Sequence, residues 1–375
     1  MQIQPLHIPT SIRNSAFPLE KINISKIEGI QEGISLFEGV KMEDIRFLTK
    51  WFQVLNLARG CREQCTFCLR NALAPIKETA NQINTILWDD LKRVTKGFST
   101  LSERLGFNVL QGNSHITLFE DANLPVAKIK DSKGDIHNTR EALQEIYEKL
   151  GLPLVLVTSG WAVNDMFSQK SAEELCSYIQ NNPKSIKEFA ISVNPFYSST
   201  KEVYIEKVVN ALKTFLPLFK NNIEIGSILL KYNYPNRINN HETAKSLYEE
   251  IYNRLKIITK SSLEGYESLN PKNVTRHDES NYIENKGRGQ KFFLSEEVDI
   301  NNKKLFVESF EWLTMNEEQK REHAYNFMTK NIDINGQVYL ITPSEQLVET
   351  DIQLGYLNKG KTTARIHSDR MFKKF

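Results

Sequence analysis

The chain has 375 residues, 40% of them hydrophobic and 25% charged, with a formal net charge of +2. This composition suits a globular protein of one large domain with appendages, or of two domains, and gives no global electrostatic reason to expect a nucleic-acid partner. No apolar run approaches the ~20 residues of a membrane span. The start, Met1-Gln-Ile-Gln-Pro-Leu-His7, lacks a basic-then-apolar signal pattern, so the expectation is a cytoplasmic protein with no membrane partner.

Residues 1–50 are irregular in pattern, with Pro5, Pro9 and Pro18 breaking any early helix, and read as an N-terminal extension. The apolar run Trp51–Leu57 predicts a strand leading straight into a cysteine-rich loop. Helical spacing follows over 87–105, then a short strand over Ile116–Glu120. A helix over 139–150 is stopped by Gly151 and Pro153. The run Leu154–Thr158 is nearly all apolar, as expected of a strand buried on both faces. Helices are then predicted over 170–182, 201–216 and 243–260, with strands at Phe189–Val193 and Ile223–Leu230 and a sixth at 272–277. Strands alternating with helices of this length predict βαβ units and a parallel sheet. The pattern alone leaves an open doubly wound sheet and a barrel both available.

Three of the four cysteines, Cys61, Cys65 and Cys68, fall within eight residues at the spacing C-x3-C-x2-C. Three thiolates on one loop can hold three corners of a [4Fe–4S] cube and leave the fourth iron without a protein ligand. A structural zinc site is the rival, but it is nearly always closed by four Cys or His ligands, and the nearest histidine in sequence is His115. A disulfide framework does not fit so few, so crowded cysteines. At this motif the sequence resembles the radical S-adenosylmethionine (SAM) superfamily, and Phe67, just before the third cysteine, matches the aromatic residue usual in that loop.

The resemblance spans about residues 51–290 and implies a partial (β/α)6 barrel with the cluster after the first strand. It also implies a mechanism. A reduced cluster gives one electron to SAM, and the resulting 5′-deoxyadenosyl radical abstracts hydrogen from a substrate C–H bond, with the electron supplied by a flavodoxin or ferredoxin. Ligands in such folds gather at the carboxyl ends of the strands. After the second strand the family often has Gly-Gly-Glu. This chain has Thr117-Leu-Phe-Glu120-Asp121, so Glu120 or Asp121 is the candidate partner of the SAM ammonium. Ser159 after the third strand, with Ser192 and Asn194 at the fourth, are candidates for the ribose or carboxylate. Gly226-Ser-Ile228 resembles the adenine element without its second glycine, which leaves a backbone contact near Ile228. Arg288, in Lys286-Gly-Arg-Gly289, matches an element that follows the barrel in many peptide-modifying members.

Residues 291–375 resemble a SPASM or twitch domain, through Gly336-Gln-Val-Tyr339 and Leu354-Gly-Tyr-Leu-Asn358, but lack every auxiliary-cluster cysteine. These features favour a peptide substrate, such as a natural-product precursor. A small metabolite such as an amino acid or nucleoside is the alternative, and a non-catalytic iron–sulfur sensor is the reading from another class. Gly355–Thr362 fits the phosphate-loop pattern, but only thirteen residues follow, too few for the α/β core that motif requires. Cys176 reads as a small buried apolar residue. His115 and His277 lie near strand ends, where a structural role competes with an acid–base one.

Overall fold

The computed structural model describes residues 19, 29–58, 85–119, 127–158, 166–193, 199–220, 228–232, 238–260, 263–266, 269, 316, 319, 329–341 and 347–356. Six helices of eight or more residues are described: α1 (Met42–Thr49), α2 (Trp88–Leu105), α3 (Thr139–Leu150), α4 (Met166–Asn181), α5 (Lys201–Phe215) and α6 (Ile238–Thr259). The strands are β1 (Phe52–Asn56), β2 (Ile116–Phe119), β3 (Ile129–Lys130), β4 (Ile136–His137), β5 (Leu154–Thr158), β6 (Ile186–Val193), β7 (Ile228–Tyr232), β8 (Thr329–Ile332), β9 (Gln337–Ile341) and β10 (Leu347–Gln353). The main sheet runs β10-β9-β8-β1-β2-β5-β6-β7. From β8 to β7 every neighbouring pair is parallel, and β9 and β10 add an antiparallel hairpin at one side. The result is an α/β protein with a mostly parallel central sheet.

Local chemistry sets the helix boundaries. Asn138 accepts from the Glu141 N–H at 3.0 Å while Glu141 Oε2 accepts from the Asn138 N–H at 2.8 Å, a reciprocal cap that starts α3. Gly151 ends it, in the left-handed region at φ 67°, donating to the Tyr147 carbonyl. The Thr200 side chain caps α5.

The strand order β1-β2-β5-β6-β7 never reverses. Right-handed crossovers therefore put all the intervening helices on one face, and consecutive helices α2 to α6 pack each on the next. Leu55, Leu118, Leu156 and Phe189 are in register across four strands and buried. Phe189 meets Phe215 of α5 with ring centroids 4.6 Å apart, so this row faces the helices. Phe52 stacks on Phe98 of α2 at 5.4 Å. Burying each such side chain contributes about 1.5–3 kcal/mol.

On β5 the opposite face is less covered. Leu154, Leu156 and Thr158 are buried but Val155 and Val157 only partly so. β5 was expected to be buried on both faces, and it is fully buried on only one.

Other departures from the sequence reading are local. Residues 34–49 carry a short 3-10 turn (Ser35–Phe37) and α1, which bury Leu36, Phe37, Met42, Ile45 and Leu48 in the core; the patternless appearance of 1–50 concealed them. The β3–β4 hairpin was also missed. Its signal was Asp131-Ser-Lys-Gly134-Asp135, where Asp131 Oδ1 accepts from the N–H groups of Lys133 and Asp135 at 2.9 and 2.8 Å. Lys231 and Tyr232, expected beyond a strand, are paired inside β7 with Ser192 and Val193. The expected strand at 272–277 lies outside the described residues. The expected hairpin at Gly336 is present between β8 and β9, and β8 pairs directly with β1, so β8, β9 and β10 extend the main sheet.

Candidate active site

Parallel register brings the carboxyl ends of the strands to one edge. Asn56 of β1 pairs with Phe119 of β2, Thr158 of β5 with Ile191 of β6, and Val193 of β6 with Tyr232 of β7. On the other side of β1, Leu55 pairs with Ile332 of β8. In chain order, Glu120 directly follows Phe119, Ser159 follows Thr158 and Asn194 follows Val193.

The segment that carries the cysteines leaves and returns at this edge. Ala58 forms an antiparallel bridge with Thr85, and the Ile86 N–H donates to the Leu57 carbonyl at 2.8 Å. Residue 61 is three residues beyond that bridge. Cys61, Cys65, Cys68, Phe67, Glu120, Asp121, Ser159, Asn194 and Arg288 themselves lie outside the described residues, as does His277. Among the described residues no group of three or more His, Cys, Asp or Glu forms a metal-binding set. Ser192 is the penultimate residue of β6, in register with Lys231. Ile228 begins the described part of β7 opposite Phe189, four residues before the strand's end. That is about 13 Å from the edge at ~3.3 Å per residue.

A polar pair at the edge escaped the sequence reading. Asn56 Nδ2 donates to Asp333 Oδ1 at 3.2 Å, across 277 residues of chain, with both side chains buried. Asp333 Oδ1 also accepts from the Ile334 N–H at 2.8 Å, and its carbonyl accepts from Gly336. A buried carboxylate needs such donors. The signal available was Asn56, a polar residue closing an apolar strand directly before the cysteine motif.

Two sequence candidates fall elsewhere. His115 precedes β2 and so lies at the amino edge of the sheet, opposite the cysteine loop. There Ser114 Oγ sits 2.7 Å from His115 Nδ1, and Lys187 Nζ donates to Ser114 Oγ at 3.1 Å. Burial, reinforced by the Lys187 charge, lowers the His115 pKa to about 4. Cys176 is buried on α4, and burial pushes its thiol up to about 12, which leaves it protonated and inert. The phosphate-loop-like stretch starts at Gly355, whose N–H is committed to the Leu36 carbonyl and whose carbonyl accepts from Arg93 at 2.9 Å.

Among the described residues no helix is long and apolar enough to cross a membrane. Comparison of the chain with protein-family models gives no match, and comparison with curated proteins gives none either.

Proposed function

We propose that this protein is a radical SAM enzyme, built as a partial (β/α)6 barrel, that acts on a peptide. The observation that carries the reading is a C-x3-C-x2-C loop that follows the carboxyl end of β1, in a mostly parallel sheet where β1, β2, β5, β6 and β7 lie side by side in chain order. Five parallel strands in chain order, with successive helices packed each on the next, are compatible with a partial barrel, and β8 adds a further parallel strand on the other side of β1.

The donor set fits the cofactor: three thiols and no fourth cysteine or histidine in the loop match a [4Fe–4S] cluster with one open iron, and do not close a zinc site. Cys61, Cys65 and Cys68 would hold it. When bound and reduced, the cluster supplies the electron that cleaves SAM into methionine and a 5′-deoxyadenosyl radical able to take hydrogen from substrate carbon.

The remaining roles belong to the chain. Glu120 or Asp121 would pair with the SAM ammonium, and Ser159, Ser192 and Asn194 would orient its ribose and carboxylate. Phe67 would pack beside the cluster, a backbone group near Ile228 would meet the adenine, and Arg288 would bind a carboxylate. The Gly336 hairpin and Lys286-Gly-Arg-Gly289 support the peptide substrate.

The test is anaerobic reconstitution with iron and sulfide, reduction, addition of SAM and quantification of 5′-deoxyadenosine by mass spectrometry. Formation by the parent, and none by a Cys61→Ala, Cys65→Ala, Cys68→Ala variant, is the expected result. A well-formed cluster whose EPR signal does not respond to SAM would remove the reading.

A further inference from the structure

Helix α2 begins where the cysteine-bearing segment returns, and it begins without a local cap. Leu87 occupies its N-cap position and offers no side-chain acceptor. Two other helices are capped: Asn138 and Glu141 close α3 reciprocally, and Thr200 caps α5. An uncapped first turn leaves backbone N–H groups unmatched and frays more readily. In α2 that turn starts two residues beyond Ile86, whose N–H bond to the Leu57 carbonyl closes the base of the cysteine segment.

The β3–β4 hairpin grips that turn instead. The His137 ring of β4 lies flat on Trp88, with ring centroids 4.2 Å apart and planes 12° apart. At the hairpin's tip the Ser132 N–H donates to Asp89 Oδ2 at 2.7 Å, and this bond holds the Asp89 carboxyl below its usual range. The hairpin is fixed on its other side as well. His137 Nδ1 is 3.3 Å from Glu141 Oε1, and Glu141 belongs to the cap of α3. Asn138 Nδ2 donates to Glu174 of α4 at 2.7 Å, and the Lys128 ammonium is 4.9 Å from the centroid of the Phe167 ring at the start of α4. The hairpin therefore ties the uncapped start of α2 to its neighbours α3 and α4.

We propose that the β3–β4 hairpin is a strap that fastens the returning end of the cysteine segment, with Ser132 and His137 as its positioning residues. This deepens the reading above and rests on it for what the thiols hold. The segment departs at Ala58 and returns at Thr85. Ala58 continues from β1, which has β8 on one side and β2 on the other. Thr85 leads into the uncapped turn of α2, so this is the end that needs fastening from outside. An aromatic stack and a hydrogen bond to a carboxylate supply it. Ligands hold a metal best when rigid elements support them. The strap therefore acts on metal retention through the first turn of α2.

The test uses the full chain, first metal-free and reduced, with amide hydrogen exchange read by mass spectrometry. Ser132→Pro removes the N–H that Asp89 accepts, and proline suits this second position of the turn closed by the Gly134 N–H and the Asp131 carbonyl. His137→Ala removes the stack on Trp88. Both changes leave α2 unaltered. The double variant is expected to exchange residues 85–91 about three- to tenfold faster than the parent, with β5 and β6 within about twofold. Unchanged exchange at 85–91 overturns the strap. An equal rise in β5 and β6 overturns it too, because the hairpin would then add only to overall stability. Should His137→Ala fail to fold, Ser132→Pro alone carries the same comparison. A second arm follows iron loss from the reconstituted protein to a chelator, expected to be about threefold faster in the double variant. Equal rates overturn the link to metal retention. A parent that takes up no iron removes the reading above, and exchange at 85–91 still decides the strap.

Discussion

The two edges of the parallel sheet carry different kinds of polar chemistry. At the amino edge, Ser114, His115 and Lys187 engage one another, and Asn113 Nδ2 donates to the carbonyls of Thr49 and Leu110 at 3.0 and 3.2 Å. Polar groups there tie loops to the sheet. At the carboxyl edge, Asn56 and Asp333 tie β1 to the turn after β8, while Asn331 beside them keeps unused donors and an acceptor. In an α/β fold the amino edge serves stability and the carboxyl edge serves ligands.

The sharpest way to break the comparison is to damage each edge in turn. Loss of Cys61, Cys65 and Cys68 is expected to abolish both iron retention and 5′-deoxyadenosine formation. His115→Gln at the other edge is expected to leave deoxyadenosine formation within about twofold of the parent. Loss of activity in a well-folded His115→Gln protein would break the division between the edges.

Stability separates them next. Gly336 holds φ 81° in the turn after β8, and a Cβ there would lie 2.8 Å from the Tyr356 ring. Gly336→Ala is expected to destabilise by about 1–3 kcal/mol in urea unfolding, because both the backbone and Tyr356 must yield. Asp333→Ala removes the acceptor of the buried bond from Asn56 Nδ2 and is expected to cost about 1–3 kcal/mol. At the amino edge Lys187→Ala, which removes an exposed amine, is expected to stay within about 0.5 kcal/mol. Equal losses for Asp333 and Lys187 would show that burial, rather than the edge's role, had been misjudged.

The amino edge also makes a prediction about pH dependence. The His115 pKa is lowered to about 4 from 6.5, chiefly by burial and secondarily by Lys187. Between these values the unfolded chain binds the proton and the folded protein does not, so stability is full above about pH 6.5 and declines as pH falls toward 4. The melting temperature is expected to fall over that window in the parent, and less steeply in His115→Gln. Identical profiles would mean that His115 is not shielded at the amino edge.

Periodicity and capping made most of the fold legible. Gly151 ends α3 as expected, and the expected helix at 87–105 is Trp88–Leu105. α1 was hidden because its apolar residues, Met42, Ile45 and Leu48, make only one short stripe, stabilised by tertiary burial more than by propensity. β7 was expected to end at Leu230, and pairing with Ser192 and Val193 of β6 carries Lys231 and Tyr232 into the strand. Of the candidate site residues, only Ser192 and Ile228 fall within the described chain.

The sequence by itself determined the alternation of strands and helices and the three-thiol motif, because both are written in short-range spacing. Only the tertiary structure decided that β8 joins β1, that Asp333 meets Asn56 across 277 residues, and that Asn331 is buried beside them with its hydrogen bonds unmade. Residues so distant in sequence share no local pattern. What pairs them is the register of a parallel sheet, and register is set by which rows of side chains bury well against the helices.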